Sequence, residues 1–178
     1  MKRSLIVPAA AIVLSAVVLL GTSLALRGTA VENGRKEHLQ IMQTLLPGST
    51  EFTVEPYAGE DANIVSVHKG ENGFVIETVT RGYVDDIRML IGVSNDGKVT
   101  GLMVRDLSET YGLGAQALTD TDFLAQFLNT SGEAAVGETV DALTGATVTS
   151  KAITRAVNSA VAYVTGADAS SGATSWGG

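Results

Sequence analysis

A long apolar run near the N-terminus most limits how this chain can fold. The run from Ser4 to Leu26 contains no charged residue and follows directly after Lys2 and Arg3. A helix that crosses a bilayer needs about 20 such residues, so the run predicts a single N-terminal transmembrane helix within residues 1–27. Because a basic pair precedes the run, we expect the N-terminus to lie inside and the rest to be exported, although Arg27 reduces the asymmetry.

A cleaved signal peptide is the alternative interpretation of the same run. Ser23 and Ala25 form a weak cleavage-like site, but the apolar region of a signal peptide is usually only about 7–15 residues long. Both alternatives export the remainder of the chain, so they differ only in whether the helix is retained.

The composition excludes several kinds of site. The chain has no cysteine, which excludes disulfides, cysteine-ligated iron–sulfur clusters and a lipid anchor on cysteine. If the protein carries electrons, a bound cofactor such as a flavin must hold them. Outside the apolar run and its flanking Lys2, Arg3 and Arg27, the chain contains nine basic and nineteen acidic residues. No basic patch suggests nucleic acid, and the acidity is typical of a soluble surface.

The middle of the chain predicts a β-rich domain. Apolar positions indicate a helix over residues 32–46 that ends at Pro47, within a stalk or packing segment at 28–50. Alternating patterns predict strands at 64–68, 74–79, 86–93 and 98–104, joined by turns at 70–73 and 95–97. A short helix capped by Asp120 or Thr121 follows. We expect one α+β domain over residues 51–166, with an antiparallel-rich sheet and packed helices. His38 is predicted on the polar side of its helix, and His68 has no histidine, cysteine or carboxylate at metal-ligand spacing in the sequence, so we assign no metal site.

The stretch from Asp141 to Val164 combines a turn with a helix. The helix is predicted over 151–164 because its apolar residues recur every three to four positions; Thr149 or Ser150 can cap it and Gly166 can end it. The preceding turn contains small residues that allow a ligand to approach the backbone, and a helix N-terminus is suited to phosphate. By itself, such a turn is more typical of a simple helix cap than of a ligand site. The small residues and hydroxyls of this turn are Thr144, Gly145, Ala146 and Thr147.

The order of residues from Asp141 to Thr147 resembles a flavin-attachment signature, D-x-x-(S/T)-G-A-T. The signature belongs to the G subunit of Rnf-type electron transport complexes and to the C subunit of the Na⁺-translocating NADH:quinone reductase. In that family a flavin transferase, with its metal, joins FMN through its phosphate to the last threonine, which here is Thr147. The resemblance places Thr144, Gly145 and Ala146 beside the attachment. It gives Asp141 a recognition or positioning role, although a simple turn role before the helix remains open.

A second stretch, residues 108–114, resembles the E-T-P-G-L-G loop that lies against the flavin in the same family. Tyr111 replaces the usual proline, and Leu107 stands where the family often has histidine; residues 80–104 also resemble the family. The matching positions that would lie near the flavin are Glu109, Thr110, Leu113 and Gly114, together with Gly112.

The C-terminal tail, residues 167–178, is small and polar, and we predict it to be flexible. It repeats the attachment pattern from Asp168 to Thr174. No helix follows this second copy, so we expect Thr147 and not Thr174 to carry the flavin.

The resemblance implies a function as well as a fold. It implies a covalently flavinylated, single-pass protein of the bacterial cell membrane, with its soluble domain extracytoplasmic. Its partners would be the other membrane subunits of an Rnf-type complex, which couples electron flow between ferredoxin and NAD⁺ to ion transport, and a flavin transferase for maturation. The chain alone would catalyse no reaction. The alternatives are a free-standing anchored flavoprotein that passes electrons to an external acceptor, and a non-redox anchored binding domain.

Overall fold

The computed structural model describes residues 3–107 and 120–167, with side chains described for 14–22, 32–105 and 120–167. The chain divides into two compact units, one up to Gln40 and one from Ile41 onward. The elements in chain order are α1 (Arg3–Leu45), β1 (Thr53–Glu55), β2 (Ile64–Lys69), β3 (Gly73–Arg81), β4 (Asp86–Ser94), β5 (Val99–Leu107), α2 (Thr121–Ala125) and α3 (Thr147–Thr165).

Helix α1 is continuous from Arg3 to Leu45. The prediction that residues 32–46 are helical is confirmed to within one residue at its end, but the helix begins at Arg3 and not at residue 32. A single glycine such as Gly28 costs only about 1 kcal/mol in a helix and need not end it. Glu32 and Lys36 lie one turn apart, and their side chains form a 2.8 Å ion pair. Within the described part of the chain, no helix combines the length and the apolar character needed to cross a membrane.

The five strands form one antiparallel sheet in the order β1-β2-β3-β4-β5. The four strands predicted from alternating patterns are confirmed, as is the α+β class. Strand β1 was not predicted, because three residues are too few to show an alternation. Gly97 has a φ of +79° in the turn between β4 and β5, a conformation that glycine adopts readily.

Helix α3 covers one face of the sheet and runs antiparallel to β3. Near its start, the Thr80 hydroxyl donates a 3.0 Å hydrogen bond to the carbonyl of Ala152. Near its end, the ring of Tyr163 packs edge-to-face on Phe74, with ring centres 5.6 Å apart. The core between helix and sheet is apolar, and its fully buried members include Ile76, Met89, Ile91, Ile153, Val157 and Ala160. The prediction that this helix packs on the sheet is confirmed.

The end of α1 lies against the opposite face of the sheet. The Thr100 hydroxyl donates a 2.6 Å hydrogen bond to the Leu45 carbonyl. A Cβ on Gly92 would lie 2.1 Å from that same oxygen, so only glycine permits this approach. Leu46 and Leu90 are buried. Because both faces are covered here, β4 is buried without interruption from residue 89 to residue 93.

A polar cluster on the α1 side of the sheet surrounds Glu77. Its carboxylate accepts hydrogen bonds from Ser66 Oγ and from Arg88 Nη1, both at 3.0 Å, and Arg105 Nη1 lies 4.0 Å away. Burial raises the pKa of Glu77, but these hydrogen bonds and the charges of the two arginines outweigh it. The pKa of Glu77 therefore lies below its ordinary value of 4.5.

We expect Val157→Asp to unfold the domain, because Val157 is fully buried in the core against the sheet and an unpaired carboxylate there has no partner. The loss in free energy of unfolding should be about 4 kcal/mol or more. Urea unfolding of the full chain, followed by circular dichroism, measures it. Val54→Asp is the control, because Val54 is 65% exposed and should tolerate the charge. An unchanged unfolding midpoint for Val157→Asp would contradict the packing.

The lowered pKa of Glu77 predicts a pH dependence of stability. A carboxylate with a depressed pKa in the folded state stabilises the fold above its unfolded-state pKa, and that contribution is lost as the pH falls through the folded-state pKa. Below about pH 5, the free energy of unfolding of the wild type should therefore fall more steeply than that of Glu77→Gln. Urea unfolding between pH 3 and pH 6 tests this, with Glu60→Gln at an exposed position as the control. Parallel curves for wild type and Glu77→Gln would refute it.

Candidate functional site

The candidate site is the start of α3. The helix begins at Thr147, and Ala146 is its N-cap, with no side-chain hydrogen bond to cap it. The prediction that the helix begins at residue 151 with a cap at Thr149 or Ser150 was therefore wrong. Both residues lie inside the helix and are buried, with 1% and 0% exposure. The predicted end is confirmed, because Gly166 closes the helix with a φ of +71°.

Ser150 locks the turn that precedes the helix. Its hydroxyl donates to the carbonyl of Ala146 at 3.0 Å and accepts from the N–H of Leu143 at 3.0 Å. The Ala146 N–H closes the turn on the Leu143 carbonyl at 2.9 Å. Gly145 lies between them with a φ of +76°, a conformation that favours glycine. The turn is thus fixed at both ends, and Leu143 and Ala146 are buried at its base.

Thr147 itself is exposed, as are Thr144 and Gly145 in the turn. The first amides of a helix have no partner within the helix, and here no side chain caps them. Their N–H groups and the positive end of the helix dipole favour a negatively charged group beside Thr147. Among the described residues, no hydrogen bond from another side chain holds the Thr147 hydroxyl. A phosphate ester on this hydroxyl therefore fits the site.

Asp141 lies just before the turn and is exposed. Its N–H donates a 2.8 Å hydrogen bond to Oε1 of Gln126, the C-cap residue of α2. The bond fixes the backbone of Asp141 to α2. It leaves open both of the predicted roles for the carboxylate, recognition or turn formation.

Asp120 is confirmed as the N-cap of α2, since its Oδ1 accepts from the Phe123 N–H at 2.8 Å.

The loop predicted to lie against the flavin begins at the end of the sheet where β3 ends, which is also where α3 starts. Arg155 lies on the third turn of α3, and its Nη2 donates to the carbonyl of Arg81 at 3.1 Å, where β3 ends. The backbone of Leu107, the last residue of β5, pairs with Ile87 beside that same end. The loop predicted to hold Glu109, Thr110, Leu113 and Gly114 follows Leu107, but these residues lie outside the described ranges. So does Thr174.

The sequence did not reveal two of the residues that shape the site. Ser150 was interpreted as a helix cap, although a serine that bonds to the carbonyl four residues earlier is a known alternative within helices. Gln126 gave no signal, because its contact with Asp141 depends on the fold.

Within the described residues, no group of three or more histidines and carboxylates could hold a metal ion.

Comparison with known proteins gives the family of the chain. The model of the FMN-binding domain matches residues 82–162, from the end of β3 to the last turns of α3. The G subunit of an ion-translocating oxidoreductase complex from Methanosarcina acetivorans is 34% identical over 145 residues, covering 72% of this chain and 76% of that protein. The G subunit of a Na(+)-translocating ferredoxin:NAD(+) oxidoreductase complex from Acetobacterium woodii is 28% identical over 165 residues, covering 79% and 80%.

A third relative is the G subunit of a proton-translocating ferredoxin:NAD(+) oxidoreductase complex from Clostridium ljungdahlii. It is 37% identical over 99 residues, covering 52% of this chain and 53% of that protein. The matched domain includes the turn at 143–146 and the start of α3. The chain therefore belongs to the family of FMN-binding-domain proteins that form the G subunit of ion-translocating oxidoreductase complexes.

Proposed function

We propose that this chain is the FMN-carrying, electron-transferring G subunit of an Rnf-type, ferredoxin- and NAD-linked ion-translocating complex. Thr147 carries the FMN through its phosphate. The observation that carries the proposal is an exposed threonine hydroxyl at the uncapped start of a packed helix, inside the matched FMN-binding domain. When bound, the flavin supplies reversible one- and two-electron chemistry, and the chain has no cysteine that could ligate an iron–sulfur cluster instead.

Burial separates Thr147 from other hydroxyls of the same helix. Thr149 and Thr154 are 1% and 2% exposed, so a transferase could reach neither without unfolding the helix. Thr144 is exposed but lies in the turn before the first helical residue. At Thr147 the phosphodiester keeps a negative charge next to the free amides of the first turn, which stabilise it.

The surroundings of Thr147 favour attachment by another enzyme. A threonine hydroxyl is a weak nucleophile and needs a base or a metal to activate it. Among the described residues, no histidine or carboxylate hydrogen-bonds to the Thr147 hydroxyl. We therefore assign the activation to a flavin transferase, which can reach the exposed side chain. The covalent bond then retains the flavin outside the cytoplasm, where a dissociated cofactor would be lost.

The membrane location rests on the apolar run. We propose that residues 1–27 form a single transmembrane helix, that 28–50 link it to the FMN-binding domain at 51–166, and that this domain lies outside the cytoplasm. The run from Ser4 to Leu26 belongs to the continuous helix α1 and contains no charged residue. The other membrane subunits of the complex are the proposed partners. Co-purification of these subunits would support the complex, whereas their absence would favour a free-standing flavoprotein.

We expect Thr147→Ala to remain folded but to carry no covalent FMN, because the exposed side chain contributes little to packing. The chain is co-expressed with a flavin transferase, and flavin is detected by fluorescence in a denaturing gel and located by peptide mass mapping. Thr144→Ala is the matched control and should keep its flavin, and Thr147→Ser should keep part of it. Covalent FMN on the Thr147→Ala chain, or on the peptide that contains Thr174, would overturn the assignment.

The proposed orientation predicts the behaviour of a C-terminal fusion. A reporter enzyme that is active only in the cytoplasm should stay inactive when fused after residue 178, because the segment after the apolar run is exported. A reporter that is active only outside the cytoplasm should show the opposite result and serves as the matched control. Activity of the cytoplasmic reporter would show that the orientation is inverted.

A further inference from the structure

The hairpin between β3 and β4 is a hydrogen-bonded turn that presents an aromatic ring to solvent. The Gly82 N–H donates to the Asp85 carbonyl at 2.9 Å and closes the turn. Arg81 braces it, because Nη2 donates to the Val84 carbonyl at 2.9 Å and Nη1 lies 3.3 Å from Asp86 Oδ1. At its tip, Tyr83 is 70% exposed and Val84 is 47% exposed.

This hairpin tip and the start of α3 project from the same end of the sheet. Thr80 and Arg81, the last residues of β3, contact Ala152 and Arg155 on α3. Because α3 runs antiparallel to β3, the helix continues past these contacts toward Thr147 in the same direction as the strand continues into the hairpin. Thr147 lies five residues before Ala152, which is about 7.5 Å along the helix axis.

Tyr83 is also distinguished from the other described aromatic side chains. Tyr163 packs on both Tyr57 and Phe74 near the C-terminal end of α3, and Phe52 is half-buried just before β1. Phe123 and Phe127 are buried in the core, with 3% and 0% exposure. In the described part of the chain, Tyr83 is thus the exposed ring at the end of the sheet from which Thr147 projects.

We infer that Tyr83 stacks on the isoalloxazine ring of the FMN attached at Thr147, with the Val84 side chain beside it. A flavin tethered only through its phosphate can rotate about its ribityl chain, so its ring needs a surface that holds it. A planar aromatic side chain on a braced turn provides that surface. Val148, on the first turn of α3 and 38% exposed, adds apolar surface next to the attachment residue. This inference rests on the proposed attachment at Thr147.

The covalent bond makes the contact measurable by fluorescence. A tyrosine stacked on a flavin quenches its emission, and unfolding separates the two rings without releasing the flavin. The flavinylated full chain is compared in its folded state and in guanidinium, as the wild type and as Tyr83→Leu. We expect the wild type to be quenched when folded and to brighten on unfolding. Folded Tyr83→Leu should already emit at nearly the unfolded level.

Two further variants make the result specific. Tyr83→Trp keeps a stacking ring and should keep the quenching, which a merely structural role of Tyr83 would not predict. Val54→Ser removes an exposed apolar side chain of β1 and should leave the quenching unchanged. The midpoint potential of the flavin should shift in Tyr83→Leu and stay near the wild-type value in Tyr83→Trp, because the ring contacts the cofactor.

The outcomes distinguish this inference from the proposed attachment. A wild-type chain without covalent FMN, or with FMN on another residue, contradicts the proposed function. A flavinylated Tyr83→Leu chain that is folded and as strongly quenched as the wild type overturns the stacking alone. So does a wild type whose emission does not change on unfolding. A Tyr83→Leu chain that fails to fold also overturns it, because the exposed ring would then serve the hairpin itself.

Discussion

The packing of α3 against the sheet is the interaction on which both the fold and the candidate site depend. Val157 and Ile153 are fully buried against the sheet, and two polar contacts fix the helix along its axis. One joins Thr80 to the Ala152 carbonyl, and the other joins the Asn63 side-chain amide to Ser159 Oγ at 3.2 Å. Because Thr147 is the first residue of this helix, core packing sets the position of the proposed attachment residue. A site on a packed helix is held more firmly than one on a loop.

The same helix carries buried polar residues that an ordinary core would exclude. Ser150 and Thr154 lie one turn apart, and each hydroxyl donates to the carbonyl four residues earlier. Asn158, one turn further on, donates its amide to the Ala134 carbonyl at 2.8 Å. These bonds offset much of the cost of burying polar groups. Ser150 has a second effect, because its hydroxyl also accepts a hydrogen bond from the Leu143 N–H and so connects the core of the helix to the turn before Thr147.

Local patterns predicted most of the sheet and misplaced the start of α3. Strands β2 to β5 form consecutive hairpins, so alternation and turn residues define them without long-range information. Thr149 and Ser150 were interpreted as caps because such residues usually favour that position, whereas here their burial in the core keeps them inside the helix. Thr147 was identified through the resemblance of its motif. Thr147 lies at the hairpin end of the sheet because α3 packs on β3, for example through the hydrogen bond between Thr80 and Ala152. These two residues are 72 positions apart in the chain, so a local sequence pattern could not predict their contact.

In the second unit, the chain segment after α1 and Thr147 lie at opposite ends of the sheet, which bears on electron transfer. The segment after α1 attaches where the Asn72 side chain donates to the Pro47 carbonyl at 3.2 Å, at the β2–β3 turn. Thr147 and the β3–β4 hairpin lie at the other end of strand β3. FMN at the proposed attachment residue, Thr147, would therefore lie at the end of this unit opposite to the contact between Pro47 and Asn72. Electron exchange falls off steeply with distance, so the proposed attachment requires a redox partner to approach the hairpin end. Because α3 is buried along its inner face and exposed at Thr147, a partner that approached FMN at the proposed attachment residue would leave the core undisturbed.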